Sequence, residues 1–170
     1  MDNANTLPKK DIMKKFEKKS IFFEYDSLDQ LSSPEKELIH EAENAAKKAY
    51  APYSKFKVGA AILLKNDKIV QGNNQENAAY PSGLCAERIA VFYANAQYPE
   101  AAVSKLAITA YRGDELVDLP ISPCGSCLQV LLETQRRFNE PIEIILAGKK
   151  KIYKANNVEQ FLQKNTGKEN

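Results

Sequence analysis

Residues 122–133 read SPCGSCLQVLLE: two cysteines three positions apart behind a proline, with an apolar-patterned run beginning at the second. The pattern predicts a helix over 123–138 that carries Cys124 and Cys127 in its first turn, and positions i and i+3 share one helical face. KLAITAYR (105–112) before it and IEIILA (142–147) after it have the β-branched, apolar character of strands. Working outward, KVGAAILL (57–64) and KIVQGNN (68–74) read as two strands joined by a hairpin at Lys65, Asn66 and Asp67. Residues 85–97 form a second helix with Ile89, Ala90, Phe92 and Tyr93 among its apolar positions, and KIYKA (151–155) is a short last strand. A further helix is expected from Pro34 to Tyr50, capped by Ser33, with Leu38, Ala42, Ala45 and Ala49 at helical spacing. IFFEY (21–25) is either a short strand or a patch packed on the domain. Strands alternating with helices imply an α/β layer architecture.

A chain of 170 residues is long enough for one domain with its own core and short for two. With 44% apolar residues, 27% charged residues and a formal charge of +2, nothing steers it to nucleic acid. The longest apolar run, Val58 to Leu64, falls far below the roughly 18–20 residues of a membrane helix. The N-terminus is polar and lysine-rich rather than signal-like, so a cytoplasmic location is expected. Six lysines between Lys9 and Lys19 make a solvated, partly ordered arm, since Ile12, Met13 and Phe16 form a poor apolar face for a membrane or RNA anchor. The expected layout is an N-terminal extension over 1–30, a catalytic domain over 31–165 and a tail over 166–170.

The chain has three cysteines, an odd count that a reducing compartment keeps as thiols. CGSC at a helix start has the spacing of a redox dithiol, but no aromatic precedes it and it does not sit near the start of the domain. A structural zinc clip wants four protein ligands, and the single histidine, His40, lies on the first helix in a context typical of a surface or packing residue. Three cysteine ligands leave a fourth zinc position for water, the arrangement of catalytic sites. Cys85 also precedes a helix, and helix N-termini favour thiolate over thiol. Glu87 follows two residues later, in CAER, where a carboxylate either merely favours the helix dipole or reaches toward a reacting water.

Cys-Ala-Glu followed by Pro-Cys-x-x-Cys matches the zinc deaminase signature with cysteine in place of the first histidine. From about residue 34 to 155 the chain resembles a zinc-dependent cytidine deaminase of the small, homotetrameric, three-cysteine type. The resemblance is carried by YAPYSKFKVGAAIL, GNNQENAAYPSGLCAER and SPCGSCLQVL, in the family's order and near its spacing. It implies a three-layer α/β/α fold around a mixed sheet of about five strands. It also implies hydrolytic conversion of cytidine or deoxycytidine to uridine or deoxyuridine with release of ammonia, a step of pyrimidine salvage. By the same resemblance Cys85, Cys124 and Cys127 hold Zn2+, and Glu87 takes the proton of the attacking water, delivers it to ring N3 and later protonates the departing amine. Arg88 offsets the charge of the thiolates. Asn74 and Glu76 match the pair that holds the ribose 3′-hydroxyl, Phe56 and Ala86 match residues of the substrate pocket, and Tyr80 matches one that reaches a neighbouring subunit's pocket. The partners implied are a pyrimidine nucleoside and further copies of the chain in a tetramer with shared active sites.

Three departures accompany the resemblance. The tail VEQFLQKNTGKEN lacks the family's leucine-leucine-proline stretch and the base-stacking aromatic after it, Leu128 stands where arginine is common, and the N-terminal extension exceeds the minimal length. Rival readings are a deaminase of a modified nucleoside such as blasticidin S, and a zinc-containing binding module without catalysis. A polynucleotide editor would want a cationic channel that this balanced charge does not offer.

Overall fold

The structure is a computed structural model and describes residues 17–162, so the lysine arm from Lys9 to Lys15 and the tail 166–170 lie outside the described residues. Its strands are β1 (Phe23–Tyr25), β2 (Phe56–Leu64), β3 (Ile69–Asn73), β4 (Val103–Arg112), β5 (Glu115–Leu116), β6 (Glu143–Ala147) and β7 (Ile152–Ala155), and its α-helices are α1 (Ser33–Lys47), α2 (Ala86–Gln97) and α3 (Gly125–Phe138). The sheet runs β1-β7-β6-β4-β2-β3, with β5 paired to β4. Only β4 and β6, the strands joined through α3, pair in parallel among the described strands. The sheet therefore has seven strands rather than five. β5 is a two-residue return of the chain onto β4, too short to leave a periodic signal. β1 lies in the IFFEY stretch and pairs with β7, so that stretch is both strand and packed patch. Phe22 stacks edge-on against Phe161 at 5.0 Å, and Lys18 donates to the carbonyls of Glu159 and Leu162.

Period-two alternation along the central strands divides the core into two layers. Ala60, Ile62 and Leu64 of β2, Leu106 and Ile108 of β4, and Ile144 and Leu146 of β6 face α2 and α3. Ala61, Ala107, Ile145 and Ala147 face α1, where the smaller side chains let the helix approach closely. Two glycines set those approaches: a Cβ on Gly59 would lie 1.9 Å from the Ala42 carbonyl oxygen of α1, and one on Gly72 would lie 2.4 Å from that of Ala86 in α2. The result is the three-layer α/β/α fold with a mixed sheet.

Helix α1 begins one residue earlier than the sequence suggests, with Ser32 rather than Ser33 as its cap, because Glu35 accepts from the Ser32 backbone N–H at 2.9 Å and from its hydroxyl at 2.6 Å. It ends at Lys47, not Tyr50, because the backbone of Tyr50 turns away to bond with Asn74 and Glu76. Glu35 is 6% exposed and also accepts from Lys154 at 3.0 Å, while Lys105 pairs with Glu143 beside it. Burial opposes ionisation of Glu35, but the bonds from Ser32 and Lys154 outweigh it and hold its pKa at about 2, below an ordinary 4.5. A folded-state pKa below the unfolded one stabilises fully above pH 4.5, and that contribution is lost as the pH falls through about 2. Glu35→Gln should cost about 2 kcal/mol at neutral pH in urea unfolding. The gap to the parent chain should narrow as the pH drops from 4.5 toward 2.

Candidate metal centre

The N-termini of α2 and α3 start side by side on one face of the sheet. Cys85 caps α2, Cys124 caps α3, and Cys127 lies in the first turn of α3. The Cys85 and Cys124 Sγ atoms are 3.9 Å apart, those of Cys124 and Cys127 are 3.3 Å apart, and all three lie within 4.8 Å of one another. Four ligands arranged tetrahedrally around zinc at a Zn–S distance of about 2.3 Å would place sulfurs about 3.8 Å apart. The triad fits zinc in number, softness and spacing. Convergence of a third thiol is what a dithiol redox pair does not need. His40 is exposed on α1, in the layer across the sheet, and so takes no part in a four-ligand clip.

The environment of the triad is graded. Cys127 is fully buried and Cys124 is exposed. Burial pushes the Cys127 thiol well up, with the Glu87 carboxylate adding to the effect. Cys85 is also raised by burial. Burial acts the same way on Cys124, but bonds from Cys127, Cys85 and the Ser126 N–H at the helix start overcome it and pull that thiol down. Arg88, one turn along α2 from Cys85, brings Nη2 to 3.8 Å from the Cys85 Sγ, and that bond holds its guanidinium protonated. Its Nε is buried without a hydrogen-bond partner among the described residues. A cation locked beside three sulfurs suits an anionic thiolate cluster. Leu128 is 9% exposed in the apolar core between the sheet and the helices, so the position where arginine is common serves packing here and contributes no charge.

A cavity of about 920 Å³ opens in front of the triad, lined by Cys85, Cys124, Glu87, Arg88, Asn74 and Glu76 among others. Glu87 is 5% exposed in the first turn of α2, and burial raises its pKa above the usual carboxylate range. Asn74, just past β3, accepts from the Val58 N–H at 2.7 Å and donates to the Phe56 carbonyl at 2.9 Å, so its side chain continues the β2–β3 ladder. Glu76 accepts from the N–H groups of Tyr53 and Ser54 at 2.9 and 3.3 Å and from the Ser54 hydroxyl. Tyr80 stands at the mouth, 91% exposed.

Neither Phe56 nor Ala86 lines the cavity. The Phe56 ring, at the start of β2, lies under the Arg112 guanidinium at 5.7 Å, and Ala86 is fully buried against Gly72. Sequence reasoning missed Tyr53 and Ser54, whose APYS stretch reads as a helix ending. It also missed Val58, Ile121, Ser122 and Ser126, which the start of β2, the loop before α3 and the first turn of α3 bring to the wall. The only signal for Ser54 was a turn-forming Pro-x-Ser sequence. No tail aromatic among the described residues reaches the cavity, because Phe161 is engaged with Phe22.

Comparison with known proteins gives a consistent answer. A family model for the cytidine and deoxycytidylate deaminase zinc-binding region matches residues 32–139. A cytidine deaminase of Halalkalibacterium halodurans is 44% identical over 96 residues, which are 56% of this chain and 68% of that protein. One from Mycobacterium tuberculosis is 42% identical over 92 residues, 54% of this chain and 65% of that protein. The crystal structure of a Burkholderia pseudomallei cytidine deaminase superimposes with a TM-score of 0.63 at 33% identity, covering 78% of this chain and 97% of that one. The M. tuberculosis crystal structure gives a TM-score of 0.62 at 30% identity, covering 81% and 100%. The matched residues 32–139 include all three thiols and Glu87, and the chain belongs to the cytidine and deoxycytidylate deaminase family.

Proposed function

We propose that the chain hydrolytically deaminates cytidine and deoxycytidine. The observation that carries this is the convergence of three thiols, two of them, Cys85 and Cys124, on the wall of one cavity together with the buried Glu87 carboxylate. Cys85, Cys124 and Cys127 would hold zinc, which when bound would supply Lewis-acid activation of a water as nucleophile. Glu87 takes one proton from the attacking water and delivers it to ring N3, then takes the second from the hydroxyl formed at C4 and gives it to the departing amine. Burial raises its pKa above the usual carboxylate range, which makes it a stronger base toward the attacking water. Arg88 balances the sulfur charge through Cys85. Asn74 and Glu76 hold the sugar, and a buried or clamped polar pair of this kind disfavours ligands that lack the matching hydroxyl.

The catalytic unit is taken as residues 31–165, with β1 and the preceding residues as an extension that packs on it. A homotetramer with shared sites is supported by Tyr53, Tyr80 and Leu84, which leave apolar surface exposed at the cavity mouth. No helix among the described residues is long and apolar enough to cross a membrane, and three free thiols suit the reducing cytoplasm.

The test is direct. Zinc-loaded protein mixed with cytidine should give a falling ultraviolet absorbance and one ammonia per uridine formed. Silence on cytidine, deoxycytidine and base-modified analogues, with zinc measured in the same sample, would leave a binding module in place of an enzyme.

A further inference from the structure

The turn before β2 is built around one carboxylate. Lys55 closes it with its N–H bonded to the Ala51 carbonyl at 3.2 Å and takes a left-handed backbone, φ 56, which is uncommon for a side-chain-bearing residue. That geometry leaves the successive N–H groups of Tyr53 and Ser54 pointing at a common centre, the backbone concavity that binds anions. Both donate to Glu76 Oε2, at 2.9 and 3.3 Å. The Ser54 hydroxyl donates to Oε1 and itself accepts from the Phe56 N–H at 3.0 Å, which fixes the direction of its proton. A carboxylate has about four acceptor positions. Three are filled from this turn, two on Oε2 and one on Oε1, and the remaining one is on Oε1.

We infer that Ser54 is a positioning residue for the sugar end of the substrate: its hydroxyl fixes the Glu76 carboxylate so that one Oε1 acceptor position is kept for the nucleoside 3′-hydroxyl. The inference rests on the proposed assignment of Glu76 to that hydroxyl. The Ser54 hydroxyl is also the largest influence that keeps Glu76 ionised below the usual carboxylate range, ahead of the opposing effect of burial.

Ser54 is exposed, so Ser54→Ala removes the hydroxyl without opening a cavity in the core. Against cytidine it should raise KM about tenfold with kcat changed far less, the loss of one bond to a charged partner. Against 3′-deoxycytidine it should change neither constant, because that substrate has nothing for Oε1 to hold. Ser54→Thr, which keeps the hydroxyl, should restore the parent KM. In Ser54→Ala the acid limb of the cytidine KM profile should move to higher pH, because losing the hydroxyl bond makes Glu76 easier to protonate. Equal penalties of Ser54→Ala on the two nucleosides would overturn the inference, as would failure of threonine to rescue. Glu76→Gln separates the two readings. If it penalises cytidine and 3′-deoxycytidine alike, the assignment of Glu76 to the sugar falls and this inference with it. If it discriminates while Ser54→Ala does not, only the role of Ser54 falls.

Discussion

Glu87→Gln should lower kcat on cytidine by about 10³-fold while leaving zinc content at one per chain and KM within a few-fold of the parent. A positioned acid or base contributes roughly 10²–10⁴-fold, and this carboxylate is assigned four proton movements in one turnover. Glutamine has the same shape and still donates and accepts hydrogen bonds, but it takes no proton. The expected loss is therefore in kcat and kcat/KM together, the pattern of an interaction made in the transition state. Folding should not suffer. Glu87 is 5% exposed, and burial disfavours its charge by more than the Cys127 and Arg88 contacts favour it, so a neutral isostere removes a net desolvation cost. The melting temperature should stay level or rise. Metal analysis, a thermal melt and steady-state kinetics on one preparation check all three statements, and a Glu87→Gln chain of parental activity would remove the carboxylate from the mechanism.

Much of this site was legible in the sequence because its chemistry is concentrated at two helix starts. Cys124 and Cys127 announce themselves by spacing, and Cys85 with Glu87 by sharing one turn, so their convergence needed only the strand–helix alternation that places both helices on one face of the sheet. The layered α/β architecture followed from strands alternating with helices, its three-layer order came from the resemblance, and the structure adds the period-two alternation in β2, β4 and β6 that divides the core. What the sequence hid is of another kind. β5 has two residues and no period. Phe56 reads as a pocket aromatic only through the resemblance, and from the residues alone it is as readily a core side chain. Its ring meets Arg112 instead, because β2 and β4 are in register at that pair and the contact depends on cross-strand pairing. Ser54 carries its function through a backbone φ at Lys55 that no residue type advertises. Asn74 is the mixed case: it reads as a polar turn residue and also as a sugar ligand. The structure shows its amide continuing the β-ladder, one donor and one acceptor being committed to β2.

The second large effect is expected at Cys124. Cys124→Ala should reduce bound zinc from about one per chain to below about 0.1 after dialysis, and activity should fall in proportion. Two thiols remain, Cys85 and Cys127, but a pair of sulfurs does not make the three-point cradle that holds zinc against competing water. The variant also separates metal loss from packing loss. Cys124 is the exposed member of the triad, so truncating it removes little buried surface, unlike Cys127, which is fully buried. Any fall in melting temperature should then be the metal's contribution, since an ion that binds the folded state stabilises it by mass action. A chelator should lower the melting temperature of the parent chain by the same amount and leave that of Cys124→Ala unchanged. The same reasoning fixes a pH dependence. The thiols bind as thiolates, and burial raises those of Cys85 and Cys127, so zinc uptake releases protons and weakens as the pH falls. A Cys124→Ala chain that kept stoichiometric zinc through dialysis would require a donor outside the three sulfurs, and with it a coordination sphere that leaves no position for the water the hydrolysis consumes.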